Sequence, residues 1–265
     1  MVQNYIKINR KLWNDKTDVH FDSEFYDVKT FLAGRNSLNP IEINLLGDIR
    51  DKSLLHLQCH FGMDTISLSR LGAHPVGVDF SDKAIKKAKE LAALCKSNAT
   101  FIQSDIYRLE SHLDEQFDIL FTSYGAVGWL PDMNEWARIV SRYLKSGGIF
   151  VMVEFHPVLW MFSDDFSEIQ YDYFNTGAIV EEIQGTYADR NAQLNNESVS
   201  WNHPLSEVLG SLLRHGLTID IFQEHDYSPY DCFDKVVKIE DNKYQIPGLE
   251  GKIPMLYSIR AKKWE

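Results

Sequence analysis

The chain has 265 residues, 44% of them hydrophobic, and a net charge of −11. That length suits one main core with insertions or a cap, and the acidic balance argues against a surface that tracks nucleic-acid phosphates, which needs clustered Lys and Arg. No apolar run approaches the roughly 20 residues needed to cross a bilayer, the polar start MVQNYIKINRKLWND lacks a signal-peptide pattern, and Cys59, Cys95 and Cys232 are too scattered for a disulfide framework, so a cytoplasmic protein with a small-molecule partner is expected, bound to neither nucleic acid nor membrane.

Residues 1 to 40 carry Trp13, His20, Phe21, Phe25 and Tyr26 and precede the first clear strand. From residue 53 strands alternate with helices, which predicts an α/β fold, doubly wound, with a mostly parallel sheet and helices on both faces. The strand candidates are SLLHLQ (53 to 58), PVGVD (75 to 79), TFIQ (100 to 103), FDILFTS (117 to 123) and GIFVMVEF (148 to 155). After Ser81, a good N-cap, Ala84, Ile85, Ala88, Leu91, Ala92 and Cys95 recur at helical spacing; the basic KAIKKAKE within it reads as a solvated face. Asp132 and Glu135 form a capping box for a helix carrying Trp136, Ile139, Val140, Tyr143 and Leu144, stopped by Gly147 and Gly148. An insertion at 157–203 is rich in Tyr and Trp, and a hairpin is expected around Asn175 to Gly177. Leu205, Val208, Leu209, Leu212 and Leu213 make a third helical stripe between Pro204 and Gly216. Strands at 217–224 and 254–262 complete a seven-stranded sheet, and residues 227 to 252 are too long for a plain connection and read as a flap.

The stretch LLHLQCHFGMDT (54 to 65) ends the first strand and leads into a helix near Met63, whose N-terminus suits a ligand's polar end. Asp79 ends the second strand 21 residues after Gln58, the spacing at which a carboxylate meets ribose hydroxyls; helix-dipole complementation is the alternative reading. At the end of the third strand Asp105 can accept from an adenine amino group and the Ile106 amide can donate to the ring, although in isolation they are a turn residue and a core residue. A dinucleotide's pyrophosphate wants three glycines in the first turn, and only Gly62 is present; a ligand without phosphates tolerates Gln58 and His60. S-adenosylmethionine is such a ligand. His56, Cys59 and His60 diverge on a strand and turn, so no metal site is expected.

From about Leu54 to His156 the chain resembles the class I S-adenosylmethionine-dependent methyltransferase family, whose first strand and turn read apolar, Asp, apolar, Gly, Cys, Gly, any, Gly. The matching residues are LHLQCHFG, 55 to 62: Cys59 and Gly62 agree, His56 replaces the acid, and Gln58 and His60 replace glycines. GVDFS (77 to 81), SDIYRL (104 to 109), FDILFTSYGAVGWLPD (117 to 132) and YLKSGGIFVMVEFHP (143 to 157) follow the later motifs in order, and the whole is similar to a bacterial subgroup of unknown substrate. The resemblance implies a Rossmann-like methyltransferase fold with lid insertions and S-adenosylmethionine as cofactor, S-adenosylhomocysteine being its product. It also implies that residues 58 to 62, including Gln58, Cys59, His60 and Gly62, contact the methionine part. Asp79 and Phe80 would hold ribose and adenine, Asp105 and Ile106 the adenine edge, and Ser123 and Tyr124 would face the sulfonium and the acceptor.

Methyl transfer needs a nucleophile held in line with water excluded, and a base only where the nucleophile must lose a proton. His156, Glu154, His20 and Tyr124 are the candidate bases; for His156 a loop histidine held before Pro157 is an equal alternative. Residues 1 to 40, with Trp13 and Tyr26, are expected to form a lid over a domain spanning 41–265, with Trp129 also on the acceptor side. Two other readings remain open at this point: a nicotinamide-dependent oxidoreductase, disfavoured by the missing glycines, and a non-catalytic cofactor-binding sensor.

Overall fold

The computed structural model describes residues 4–264. Its centre is a seven-stranded sheet made of β1 (Ser53–Leu57), β2 (His74–Asp79), β3 (Thr100–Gln103), β4 (Phe117–Ser123), β5 (Leu144–Phe155), β8 (Leu217–His225) and β11 (Leu256–Lys263). The spatial order is β3-β2-β1-β4-β5-β11-β8; β1 to β5 pair in parallel and β11 runs antiparallel to both its neighbours. Two small hairpins lie outside it, β6 (Ile179–Gln184) with β7 (Asn195–Ser200) and β9 (Val237–Glu240) with β10 (Lys243–Gln245). The expected doubly wound sheet of seven strands is the one found.

β1 is apolar without alternation because both its faces are covered: Leu55 and Leu57 join one core layer while Leu54 joins the other. The first layer contains α6 (Met133–Tyr143) and α7 (Leu205–Arg214), and the second contains α3 (Pro40–Leu46) and part of α4 (Met63–Arg70). The apolar stripe of α5 (Asp82–Leu94) packs beside α4 around Phe31 of α2 (Val28–Leu32). Ser81 caps α5, its Oγ accepting from the Ala84 amide at 3.0 Å. No described helix is long and apolar enough to cross a membrane.

Three local expectations are corrected. Asp132 caps α6 by accepting from the Asn134 and Glu135 amides, but Glu135 turns to Arg138 at 2.8 Å, so the box is one-sided. The helix ends at Tyr143 and the strand begins at Leu144, with Gly147, at φ 77°, inside the strand segment rather than at the helix end. The insertion's hairpin turns after Gln184, not at Asn175 to Gly177. Its second strand, NNESVS, is polar because α1 (Tyr5–Asp22) covers it with polar groups. Asn9 donates to the Val199 carbonyl at 2.7 Å and accepts from its amide at 3.0 Å, pairing with backbone as another strand would.

Candidate active site

The turn after β1 explains how Gln58 and His60 stand where glycines are usual. Both keep the left-handed backbone, with φ of 57° and 51°, and Gly62 follows at 79°. Such a conformation costs a non-glycine residue about 1–2 kcal/mol, and local bonds offset it. Gln58 Nε2 donates to the Ala126 carbonyl at 2.8 Å, and the His60 amide donates to Asp79 Oδ2 at 2.9 Å. Gly62 has no such freedom: a β-carbon there would come within 2.5 Å of the Phe101 ring. Cys59 is buried, its amide bonded to the Val78 carbonyl, and burial pushes its thiol well above the ordinary range, so it packs rather than reacts.

Asp79 accepts from the amides of Ser81 (2.8 Å) and His60, while burial pushes its carboxyl up to about 6. A cleft at this carboxyl edge is lined by Gln58, Phe80, Ser104, Asp105, Ile106 and Trp129, with Tyr5, Ile6 and Asn9 of α1 opposite. Gln58, Phe80, Asp105, Ile106 and Trp129 were all expected at the site, and they share this one cleft. Asp105 also accepts from the Tyr107 amide at 3.0 Å.

Beyond the cleft, residues from four parts of the chain meet around His60. Its ring lies 5.2 Å from Trp13, 5.2 Å from His20 and 5.7 Å from Tyr26; Trp13 stands edge-on to Trp129 at 5.5 Å. Tyr187 of the insertion bonds through its hydroxyl to that of Tyr26 at 2.5 Å and packs 4.7 Å from His20. Phe25 bridges Tyr187 (5.4 Å) and Tyr230 of the flap (5.8 Å), and Tyr230 stands against Tyr124 at 5.0 Å. Burial lowers His20 well below the usual histidine range and His60 to about 3, so both rings are neutral.

Tyr124, at φ 27°, donates to Glu42 Oε2 at 2.8 Å. Glu42 is fully buried, its other oxygen accepting from the Asn39 amide at 2.6 Å, and desolvation pushes its carboxyl up to about 7. Asn39 also donates to Tyr230 Oη at 2.8 Å. Ser123 donates to Asp64 Oδ2 at 3.2 Å and lies 3.4 Å from His56 Nε2. Asp64 is raised by burial, and His56 is lowered to about 3 and neutral, so the carboxylate that the strand lacks at position 56 is present on α4 instead.

His20 and Tyr124 are thus part of this aromatic cluster, and Ser123 lies beside it. His156 is not brought there: its Nε2 lies 3.1 Å from Glu224 and its ring 5.9 Å from Tyr257, on β8 and β11. Glu154 is occupied as well, its carboxylate taking the amides of Gly125, Ala126 (2.7 Å), Val127 (3.0 Å) and Phe155 (2.7 Å). Five residues in or beside the cluster escaped the sequence reading: Lys16, Glu42, Asp64, Tyr187 and Tyr230. Lys16 had a signal, since Asn9, Leu12, Lys16 and His20 form the buried stripe of α1 at helical spacing; the others depend on tertiary contacts.

The family described as Methyltransferase domain matches residues 50–206. The chain belongs to this methyltransferase family. It is 30% identical over 133 residues to an uncharacterized methyltransferase of Synechocystis sp., covering 49% of this chain and 60% of that one. It is 25% identical over 128 residues to a ubiquinone biosynthesis O-methyltransferase of Nitrosomonas europaea, covering 47% and 54%. The chain thus spans a little over half the length of these relatives. An S-adenosylmethionine-dependent methyltransferase from Mesorhizobium loti shares the fold, with a TM-score of 0.59 at 19% identity over 88% of this chain and 100% of that one. Family and fold are those that the motifs led us to expect, and the family's cofactor is S-adenosylmethionine.

Proposed function

We propose that this methyltransferase moves the methyl group of S-adenosylmethionine to a small-molecule acceptor by in-line displacement inside the closed chamber. The observation that carries the reading is the convergence of Tyr26, Tyr187 and Tyr230, from three separate peripheral segments, onto the edge where Tyr124 and His60 stand. Walls of this kind exclude water and fit a compact molecule rather than a polymer. Adenosine lies in the cleft of Phe80, Asp105 and Ile106, with Asp79 at the ribose and residues 58 to 62 under the methionine part. Tyr124 and His20 are the groups placed to orient the nucleophile or take its proton, and Trp13, Tyr26 and Trp129 close the acceptor side.

A small-molecule fraction of a cell extract, incubated with the protein and methyl-labelled cofactor, should yield label in a low-mass product. Label appearing only in protein or nucleic acid would overturn the small-molecule reading. Asp79→Ala should weaken S-adenosylhomocysteine binding about tenfold or more in calorimetry, the worth of hydrogen bonds to a charged group. Unchanged affinity would remove Asp79 from the ribose site.

A further inference from the structure

Lys16 is only 5% exposed, yet among the described residues no carboxylate lies within 4.0 Å of its ammonium. Lys11, five residues earlier on α1, reaches both Asp15 (2.7 Å) and Asn196 (2.6 Å) in comparison. The Lys16 Nζ instead looks onto rings, 5.3 Å from Trp13, 6.0 Å from Trp129 and 6.0 Å from Tyr187. Cation–π contacts of this kind give about 0.5–2 kcal/mol, while removing an ammonium from water costs several kcal/mol. The rings alone do not offset the burial, and desolvation lowers the Lys16 ammonium to about 8.

Two further groups beside it lack partners. His20 Nδ1 and His60 Nε2 are buried and make no hydrogen bond among the described residues. Thr186 Oγ1 sits 2.6 Å from His20 Nε2 and also accepts the Ala188 amide, so the Nε2 side of the ring is occupied. In the tautomer whose ring proton stands on the free Nδ1, the Thr186 hydroxyl donates to Nε2 and Nδ1 is an unused donor. Lys16, His20 and His60 all pack on the Trp13 ring, at 5.3, 6.1 and 5.2 Å, so a buried cation and two unpartnered imidazole nitrogens border one small region and describe a place for an anion.

We infer that Lys16, with His20 and His60, forms an anion site in the chamber wall that a carboxylate completes, supplied by the methionine part of the cofactor or by the methyl acceptor. The inference rests on the methyltransferase reading of the same chamber. The carboxylate's negative charge would also offset the like charges of Lys16 and the cationic sulfonium when both share a low-dielectric site.

The test compares S-adenosylhomocysteine with 5′-methylthioadenosine, which lacks the methionine carboxylate, and then titrates benzoate into protein saturated with S-adenosylhomocysteine. Wild type, Lys16→Met and the surface control Lys11→Met are measured by calorimetry. If the cofactor supplies the carboxylate, Lys16→Met loses about tenfold or more in affinity for S-adenosylhomocysteine and nothing for 5′-methylthioadenosine. If the acceptor supplies it, both nucleosides bind as before and the benzoate binding of the wild type disappears. Equal losses for both nucleosides, or no change in either together with benzoate bound alike by both proteins or by neither, overturns the anion site. Failure of the wild type to bind either nucleoside overturns the methyltransferase reading instead, and the inference with it. Removing an unpaired buried charge should leave the ligand-free melting temperature equal or higher; should Lys16→Met not fold, Lys16→Gln gives the same comparison.

Discussion

Positions 58 and 60 show what a glycine motif encodes: the family's glycines mark a left-handed turn, and this chain keeps the turn with other side chains. The conformation was not legible at positions 58 and 60, since a positive φ is uncommon for any residue but glycine, whereas the need for Gly62 was, and the nearby Phe101 ring gives the reason. A left-handed backbone at position 60 predicts that His60→Gly is more stable than His60→Ala by about 1 kcal/mol in urea unfolding, since both lose the ring and only alanine meets the steric cost. Equal stabilities would argue against that turn. Glu42 supplies a pH prediction. Its folded-state value of about 7 lies above the ordinary 4.5, so its burial is harmless while it is protonated and becomes destabilising as pH rises from about 4.5 through 7. Glu42→Gln should therefore gain about 1–3 kcal/mol over the wild type between pH 4.5 and pH 8 in urea unfolding. A difference independent of pH would mean that Glu42 keeps an ordinary carboxyl in the fold.

Among the elements, the sheet strands were legible because β1 to β5 are short, apolar and bounded by turn residues, and the stripes of α5, α6 and α7 because their period is helical. β7 was not, since a strand whose buried residues are Asn196, Ser198 and Val199 shows no apolar alternation; its partner Asn9 lies 190 residues away from Val199. Glu154 was legible as a carboxylate at the site but not in its use, which is to tie the β4–α6 loop to β5 through the amides of residues 125 to 127. That loop carries the Ala126 carbonyl to which Gln58 donates, so the clamp also holds the turn after β1. Glu154→Gln exchanges one accepting oxygen for a donor facing amide protons. It should cost about 1–3 kcal/mol in unfolding and weaken S-adenosylhomocysteine at the same time. Lost stability with full cofactor affinity would separate the loop from the cofactor seat.

At the level of the whole molecule, the sheet and the peripheral segments divide the work. The carboxyl edge of β1 to β4 is where the cleft proposed for adenosine opens, and its motifs were readable in order along the chain. The aromatic cluster proposed to wall the chamber was readable only as aromatic density, because it comes from residues 5–32, from around Tyr187 and from around Tyr230, and no local pattern states that three such segments meet. Their contacts make them interdependent: Tyr26 is bonded to Tyr187, Phe25 touches Tyr187 and Tyr230, and Tyr230 shares Asn39 with the Glu42–Tyr124 pair. Segments linked in this way should open and close together rather than one by one. Hydrogen exchange with and without S-adenosylhomocysteine tests this, because a ligand seated under α1 stabilises every segment whose opening would expose it. Protection should rise in parallel at residues 5–32, 186–189 and 227–232, while the exposed β9–β10 hairpin changes little. Protection confined to residues 58–62 and 79–81 would mean that cofactor seating and chamber closure are separate events, with the peripheral segments closing only on the acceptor.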